Sequence, residues 1–157
     1  VGGGAVQFSL GGNGTGKDFN FPRDKVIGYK KFANKLWNIA RYIQSIEQPK
    51  VVESTKTDSD KDILHKLNVT IKSVDRSLEK FRFADAAETI YQFLWHDFAD
   101  IYLEESKNRK EEAYATLSHV LDCSLRLLHP FMPFVTEAVW KELGHNDLLI
   151  SCPWPKS

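Results

Sequence analysis

Cysteine is scarce in this sequence: Cys123 and Cys152 are the only two among 157 residues. Two cysteines in no paired spacing build neither a disulfide framework nor a metal finger, so a reducing, cytoplasmic setting is the expectation. Methionine occurs once, and nothing near the start joins basic residues to an apolar run as a secretory leader does. No uncharged apolar stretch approaches the roughly 20 residues needed to cross a bilayer, so no membrane association is expected. Net charge is also missing, since 21 basic and 21 acidic side chains cancel. Bulk electrostatics therefore gives no reason to expect a polyanionic partner. Hydrophobic residues, by contrast, make up 42% and aromatics 12%, enough for one core in a chain of this length. A disordered tail is excluded.

The neutral total hides a change of sign. Residues 1–50 carry eight basic and three acidic side chains, residues 51–106 seven and twelve, and the remainder six of each. Because screening confines a field to about 8 Å at physiological salt, a local basic surface can bind an anion on a neutral chain. The N-terminal third is where such a surface would lie.

Most of the nine glycines fall in residues 1–22, which open at Val1 and read as a connector from a missing domain of a longer protein. From there the spacing predicts helices. Asp24 to about Ile46 repeats Tyr29, Phe32, Ala33, Leu36, Ala40 and Ile43 at helical intervals, with Asp24 as N-cap. Gln48 to Asp60 has no period and reads as a loop. A seam of Leu64, Leu67, Ile71, Val74, Leu78 and Phe81, spaced 3 and 4 apart, predicts a second helix packed along a neighbour. Phe83 to Ser106 gives a third, with Ala87, Ile90, Tyr91, Leu94, Phe98, Ile101 and Tyr102 on its buried stripe. Asn108 to Leu128 gives a fourth, which His129-Pro130 ends. Pro133 opens a short fifth that buries Phe134, Ala138 and Trp140 before Gly144 turns the chain. The expected fold is all-α, an antiparallel helical bundle of four to five helices over residues 23–157.

Few residues frame chemistry. Gly11-Gly12-Asn13-Gly14-Thr15-Gly16-Lys17 satisfies the Gly-x4-Gly-Lys frame of a phosphate loop. Asp18, however, stands where a Mg²⁺-binding hydroxyl belongs, and Phe19-Asn20-Phe21-Pro22 follows in place of a helix. A flexible connector is the better account. His119 and Cys123 are spaced i, i+4 as two metal ligands would be, but a zinc site needs three or four, so no metal is expected. The Glu-x-x-His of di-iron bundles is absent. No Gly-x-Ser-x-Gly or comparable frame surrounds a nucleophile, and no catalytic residue is expected. The four tryptophans read as core aromatics.

One helix face stands out. On a wheel of about 100° per residue, Lys31, Lys35, Asn38 and Tyr42 share a narrow sector, Arg41 lies alongside, and Tyr29, Ala33, Leu36, Ala40 and Ile43 lie opposite. An outward ring among lysines suits single-stranded nucleic acid. Lysines neutralise phosphates, a ring stacks an unpaired base for about 1–3 kcal/mol, and an Asn amide both donates to and accepts from a base edge. A solvated charged face has the same composition.

The wording of the chain adds to this. Gly28-Tyr29-Lys30-Lys31-Phe32-Ala33-Asn34-Lys35-Leu36-Trp37-Asn38-Ile39-Ala40-Arg41-Tyr42 resembles the first helix of the anticodon-binding domain of class I valyl-tRNA synthetases. Phe81 to Ala87, Trp95 to Glu104, His129 to Glu137 and Pro153-Trp154-Pro155 are similar to its later segments, in the same order. The start differs: Gly3, Gly4 and Gln7 stand where the family has Ala-Asp and Arg, and Asp24 stands where some relatives place an arginine. The resemblance implies a domain that binds the anticodon stem-loop of valine tRNA. Asn38 and Tyr42 would lie near the middle base, while Lys31, Lys35 and Arg41 would steer phosphates. It also implies a valine-tRNA ligase parent whose catalytic domain uses ATP and Mg²⁺. The His-x-Gly-His and Lys-Met-Ser-Lys-Ser signatures of that chemistry are absent here, so no cofactor is expected in this fragment. The same domain of a leucyl or isoleucyl enzyme, or a helical protein-interaction module without RNA, remain alternatives.

Overall fold

The structure, a computed structural model, describes residues 23–48 and 55–157. The connector 1–22 and its Gly-x4-Gly-Lys frame lie outside the described residues. Five helices follow in order: α1 (Arg23–Ser45), α2 (Asp58–Glu79), α3, α4 (Lys110–Leu128) and α5 (Pro133–Glu142). Helix α3 is α-helical over Phe83–Gln92, π-helical over Phe93–Leu103 and α-helical again over Glu104–Ser106. A 3₁₀ turn, Lys107–Arg109, leads from it into α4. Among the described residues there is no strand.

Side-chain pairs fix the directions of the helices. Tyr102 of α3 donates to Asp60 at the start of α2, so these two run antiparallel. Phe32, Lys35 and Tyr42 of α1 meet Trp95, Asp100 and Lys107 in turn, so α1 runs parallel to α3. Gln44 donates to the Glu142 carbonyl near the end of α5, while Trp37 lines a cleft with Val135 near its start. Helix α5 therefore also runs parallel to α1. The chain goes up, down, up, down, up around one core, in which Leu36, Leu67, Ile90, Phe98, Leu121 and Trp140 are all at most 2% exposed.

Local sequence explains the helix ends. Thr57 caps α2: its side chain accepts from the Asp60 N–H, and the Asp60 carboxylate accepts from the Thr57 N–H, closing a capping box. Pro133 begins α5, where its missing N–H costs nothing. Gly144, at φ +91°, closes the turn after α5 in a conformation that other residues rarely adopt.

Several expectations are corrected. Helix α1 begins at Arg23, ahead of the Asp24 cap. Helix α2 starts at Asp58, inside the stretch read as loop. Phe81 ends the predicted seam but lies beyond α2, at φ +57° and 79% exposed, because the turn into α3 takes it out of the helical register. Helix α4 begins at Lys110, since the 3₁₀ turn takes up Asn108. In α5 the buried positions are Thr136, Val139 and Trp140, whereas Phe134 is 62% exposed and Ala138 is also exposed. Of the tryptophans only Trp140 is fully buried; Trp37, Trp95 and Trp154 pack at the rim of the core. In α3, Ile101 faces solvent at 57% exposure while Phe93, Ala99 and Leu103 are buried. The π-helical stretch gives about 4.4 residues per turn, with i→i+5 bonds, so the stripe drifts from the 3.6-residue period. Phe93 stacks on Phe98 five residues on, and Phe98 on Tyr102 four residues on, at 6.5 and 6.3 Å.

Candidate nucleic-acid interface

Helices α1 and α3 run side by side and leave a groove of about 250 Å³ between them. From α1 it is lined by Lys35, Asn38, Ile39 and Tyr42, and from α3 and the turn after it by Ala99, Leu103, Glu104 and Lys107. Three of the five residues singled out on α1 therefore share one concave site.

Their states differ from a plain outward face. Lys31, Asn38 and Arg41 are exposed. Tyr42 is only half-exposed and packs against the core, with its hydroxyl buried and without a hydrogen-bond partner among the described residues. The wheel placed Tyr42 outward because it considered α1 alone; α3 rises beside that sector and takes the ring into a wall of the groove. Tyr29 and Ala33, expected in the core, are likewise only half-buried.

Carboxylates compensate two of the cations in the groove. Lys35 Nζ lies 3.3 Å from Asp100 Oδ1 and 5.0 Å from the Trp95 ring centroid. The His96 Nδ1 sits 3.3 Å from the other Asp100 oxygen. Lys107 Nζ lies 2.9 Å from Glu104 Oε1 and 6.0 Å from the Tyr42 ring centroid. Arg41 holds its guanidinium 5.2 Å over Trp37. Lys31 makes no ion pair among the described residues.

The α3 wall is anchored from behind. Asp60, 4% exposed, accepts from the Tyr102 hydroxyl at 2.5 Å and faces Arg109 Nη1 at 3.0 Å. Arg109 also donates through Nε and Nη2 to Glu105, at 3.1 and 2.9 Å. Burial alone would raise the Asp60 pKa, but the Tyr102 hydroxyl, the Thr57 N–H and Arg109 outweigh it and hold Asp60 below the usual carboxylate range. Burial and then Asp60 push Tyr102 well above an ordinary phenol. These contacts tie α3 to the start of α2 and hold the wall in place.

Residues from α3 were missed by the wheel, although Trp95 to Glu104 was among the segments that carried the resemblance. Elsewhere, His119 Nε2 and Cys123 Sγ are 3.8 Å apart, and burial raises the thiol pKa. Among the described residues no group of three His, Cys, Asp or Glu side chains could hold a metal ion, and no helix is long and apolar enough to cross a membrane.

A family model described as the anticodon-binding domain of tRNA ligase matches residues 60–157. The chain belongs to this family. Among curated relatives, the anticodon-binding domain is 39% identical to the valine–tRNA ligase of Bacillus thuringiensis, over 96% of this chain and 19% of that protein. It is 43% identical to the valine–tRNA ligase of Thermotoga maritima, over 90% of this chain and 17% of that protein. The chain thus spans about a fifth of the length of the curated relatives it matches. A solved LeuRS of Agrobacterium radiobacter, in a ternary complex with tRNA and LeuAMS, has the same fold with a TM-score of 0.70 at 22% identity, covering 98% of this chain and 19% of that one.

Proposed function

We propose that this domain reads the anticodon loop of valine tRNA in the groove between α1 and α3, for a parent that is a cytoplasmic valine–tRNA ligase. Activation of valine with ATP and Mg²⁺ would belong to a catalytic domain elsewhere in that parent. The observation that carries the reading is that Asn38 and Tyr42, reached from helical periodicity and from family resemblance, line one concave site with Leu103 and Glu104.

The chemistry of the groove fits an unpaired purine. A base entering between Ile39, Leu103 and the accessible side of Tyr42 finds apolar and aromatic faces above and below. The Asn38 amide can donate to and accept from an adenine edge, and the Glu104 carboxylate can accept from an exocyclic amine. Adenine is the middle base of valine anticodons. Lys31 and Arg41 are exposed and can meet phosphates. Lys35 and Lys107 already hold carboxylates and mainly keep the groove from being acidic.

Titration with a valine anticodon stem-loop, and with a copy whose middle adenine is changed, at two salt concentrations, tests this. Salt-sensitive binding that prefers the adenine loop is expected, with Asn38→Ala or Tyr42→Ala erasing the preference. Equal binding of both loops would leave an RNA-binding domain of unsettled amino-acid identity. No binding to either would mean that recognition needs other domains of the parent, or would favour a protein-interaction module.

A further inference from the structure

A second cleft lies on the other side of α1. It measures about 440 Å³ and is lined by Tyr29, Lys30, Ala33, Asn34 and Trp37 of α1, with Phe134 and Val135 of α5 opposite. That exceeds the volume of the groove described above and falls within the range of small-ligand clefts. Three aromatic side chains meet there: Tyr29 and Trp37 are half-exposed, and Phe134 is 62% exposed. None of the sequence reasoning placed a ligand here, and Phe134 was expected in the core.

The polar lining points to the occupant. Among the described residues no carboxylate lines the cleft; besides the aromatic Tyr29 and Trp37, its polar side chains are the exposed Lys30 and Asn34. Arg41 stands over the Trp37 ring at its edge. An aromatic floor with an amide, an exposed lysine and an arginine, and no acid among the described residues, complements a nucleobase with its phosphate. A purely apolar protein partner would leave these cations without a role. The cleft and the first groove lie on either side of α1: Lys30, Asn34 and Trp37 line the cleft, while Lys35, Asn38 and Tyr42 line the groove.

We propose that the cleft holds an unpaired nucleotide flanking the anticodon, stacked on Trp37 with its phosphate on Lys30 or Arg41. A single strand then crosses α1 from one groove to the other. This rests on the reading that the domain binds an anticodon loop, and it adds a second subsite to it.

The test uses the 157-residue chain and stem-loops carrying 2-aminopurine at the nucleotide immediately 5′ or 3′ of the anticodon. Stacking should quench that fluorescence with the native chain and with Trp37→Phe, which keeps a ring. Trp37→Ala should abolish the quench and weaken binding about 5- to 150-fold. Lys30→Glu should weaken binding of every stem-loop, and as an exposed substitution it decides the matter if Trp37→Ala does not fold. Tyr42→Ala should erase the middle-base preference yet keep the flanking quench. If Trp37→Ala and Lys30→Glu leave quench and affinity unchanged while Tyr42→Ala loses discrimination, the second subsite is wrong and the cleft is left to a protein contact. If the native chain binds no stem-loop, the anticodon reading and this inference fall together.

Discussion

Tyr42 carries a buried hydroxyl without a partner among the described residues, and an atom in that state costs about 1–3 kcal/mol. Tyr42→Phe should therefore raise the urea midpoint while the ring still stacks a base; Tyr42→Ala should lower stability and base preference together. Measuring unfolding and stem-loop affinity on the same two variants separates packing from recognition. His129 gives a pH dependence. Its Nδ1 lies 2.9 Å from Thr136 Oγ1, and Thr136 donates to the Met132 carbonyl at 2.8 Å. Burial, partly opposed by Glu137, lowers the His129 pKa from its ordinary 6.5. The native state thus favours the neutral ring. Its contribution is full above the unfolded pKa and is lost as pH falls through the folded one. Stability is expected to decline as pH falls below about 6.5, and His129→Gln should flatten that decline in urea titrations. Asn38 was legible from the sequence because a helix wheel suffices for an exposed position. The setting of Tyr42 was not, because it depends on a helix some 60 residues away in the chain.

At the level of elements, α3 is where periodicity misleads. A 3.6-residue reading puts Ile101 inside, but the π-helical stretch turns it out and brings Ala99 and Leu103 in. Ile101→Lys should consequently be tolerated within about 0.5 kcal/mol, while Ala99→Lys should destabilise severely by burying an unpaired charge. Thermal melts of the two variants check the register, and the opposite ranking would contradict it. The start of α2 shows the reverse case: Thr57-Asp58-Ser59-Asp60 is a capping-box pattern that was legible, yet its polar composition resembled the preceding loop. Asp60→Asn removes the charge that Arg109 and Tyr102 share and should cost about 3 kcal/mol. In the native chain this contribution is present above the unfolded carboxylate pKa and is lost as pH falls through the lowered folded value. Acid titrations should show the variant losing less below about pH 4. The long α1, α2 and α4 were legible because their apolar spacing meets no such irregularity.

Over the whole molecule, neutrality and local charge act on different quantities. Lys31→Glu and Arg41→Glu should leave stability nearly unchanged, because both side chains are exposed. They should weaken every RNA alike and lower the slope of log affinity against log salt by about 1 each. Affinity titrations at several salt concentrations read this directly. Helix α1 runs parallel to α3, so the two walls of the groove, residues 35–42 and 99–107, become neighbours only after α2 has returned the chain. The binding site is therefore a product of the complete topology and is absent from any unfolded or half-assembled state. A ligand that bridges both walls binds the native form alone, and by mass action must raise the melting temperature with the logarithm of its concentration over the dissociation constant. At a hundredfold excess over its dissociation constant it adds about 2.7 kcal/mol. Thermal shift with cognate and altered stem-loops thus weighs recognition and folding on one scale.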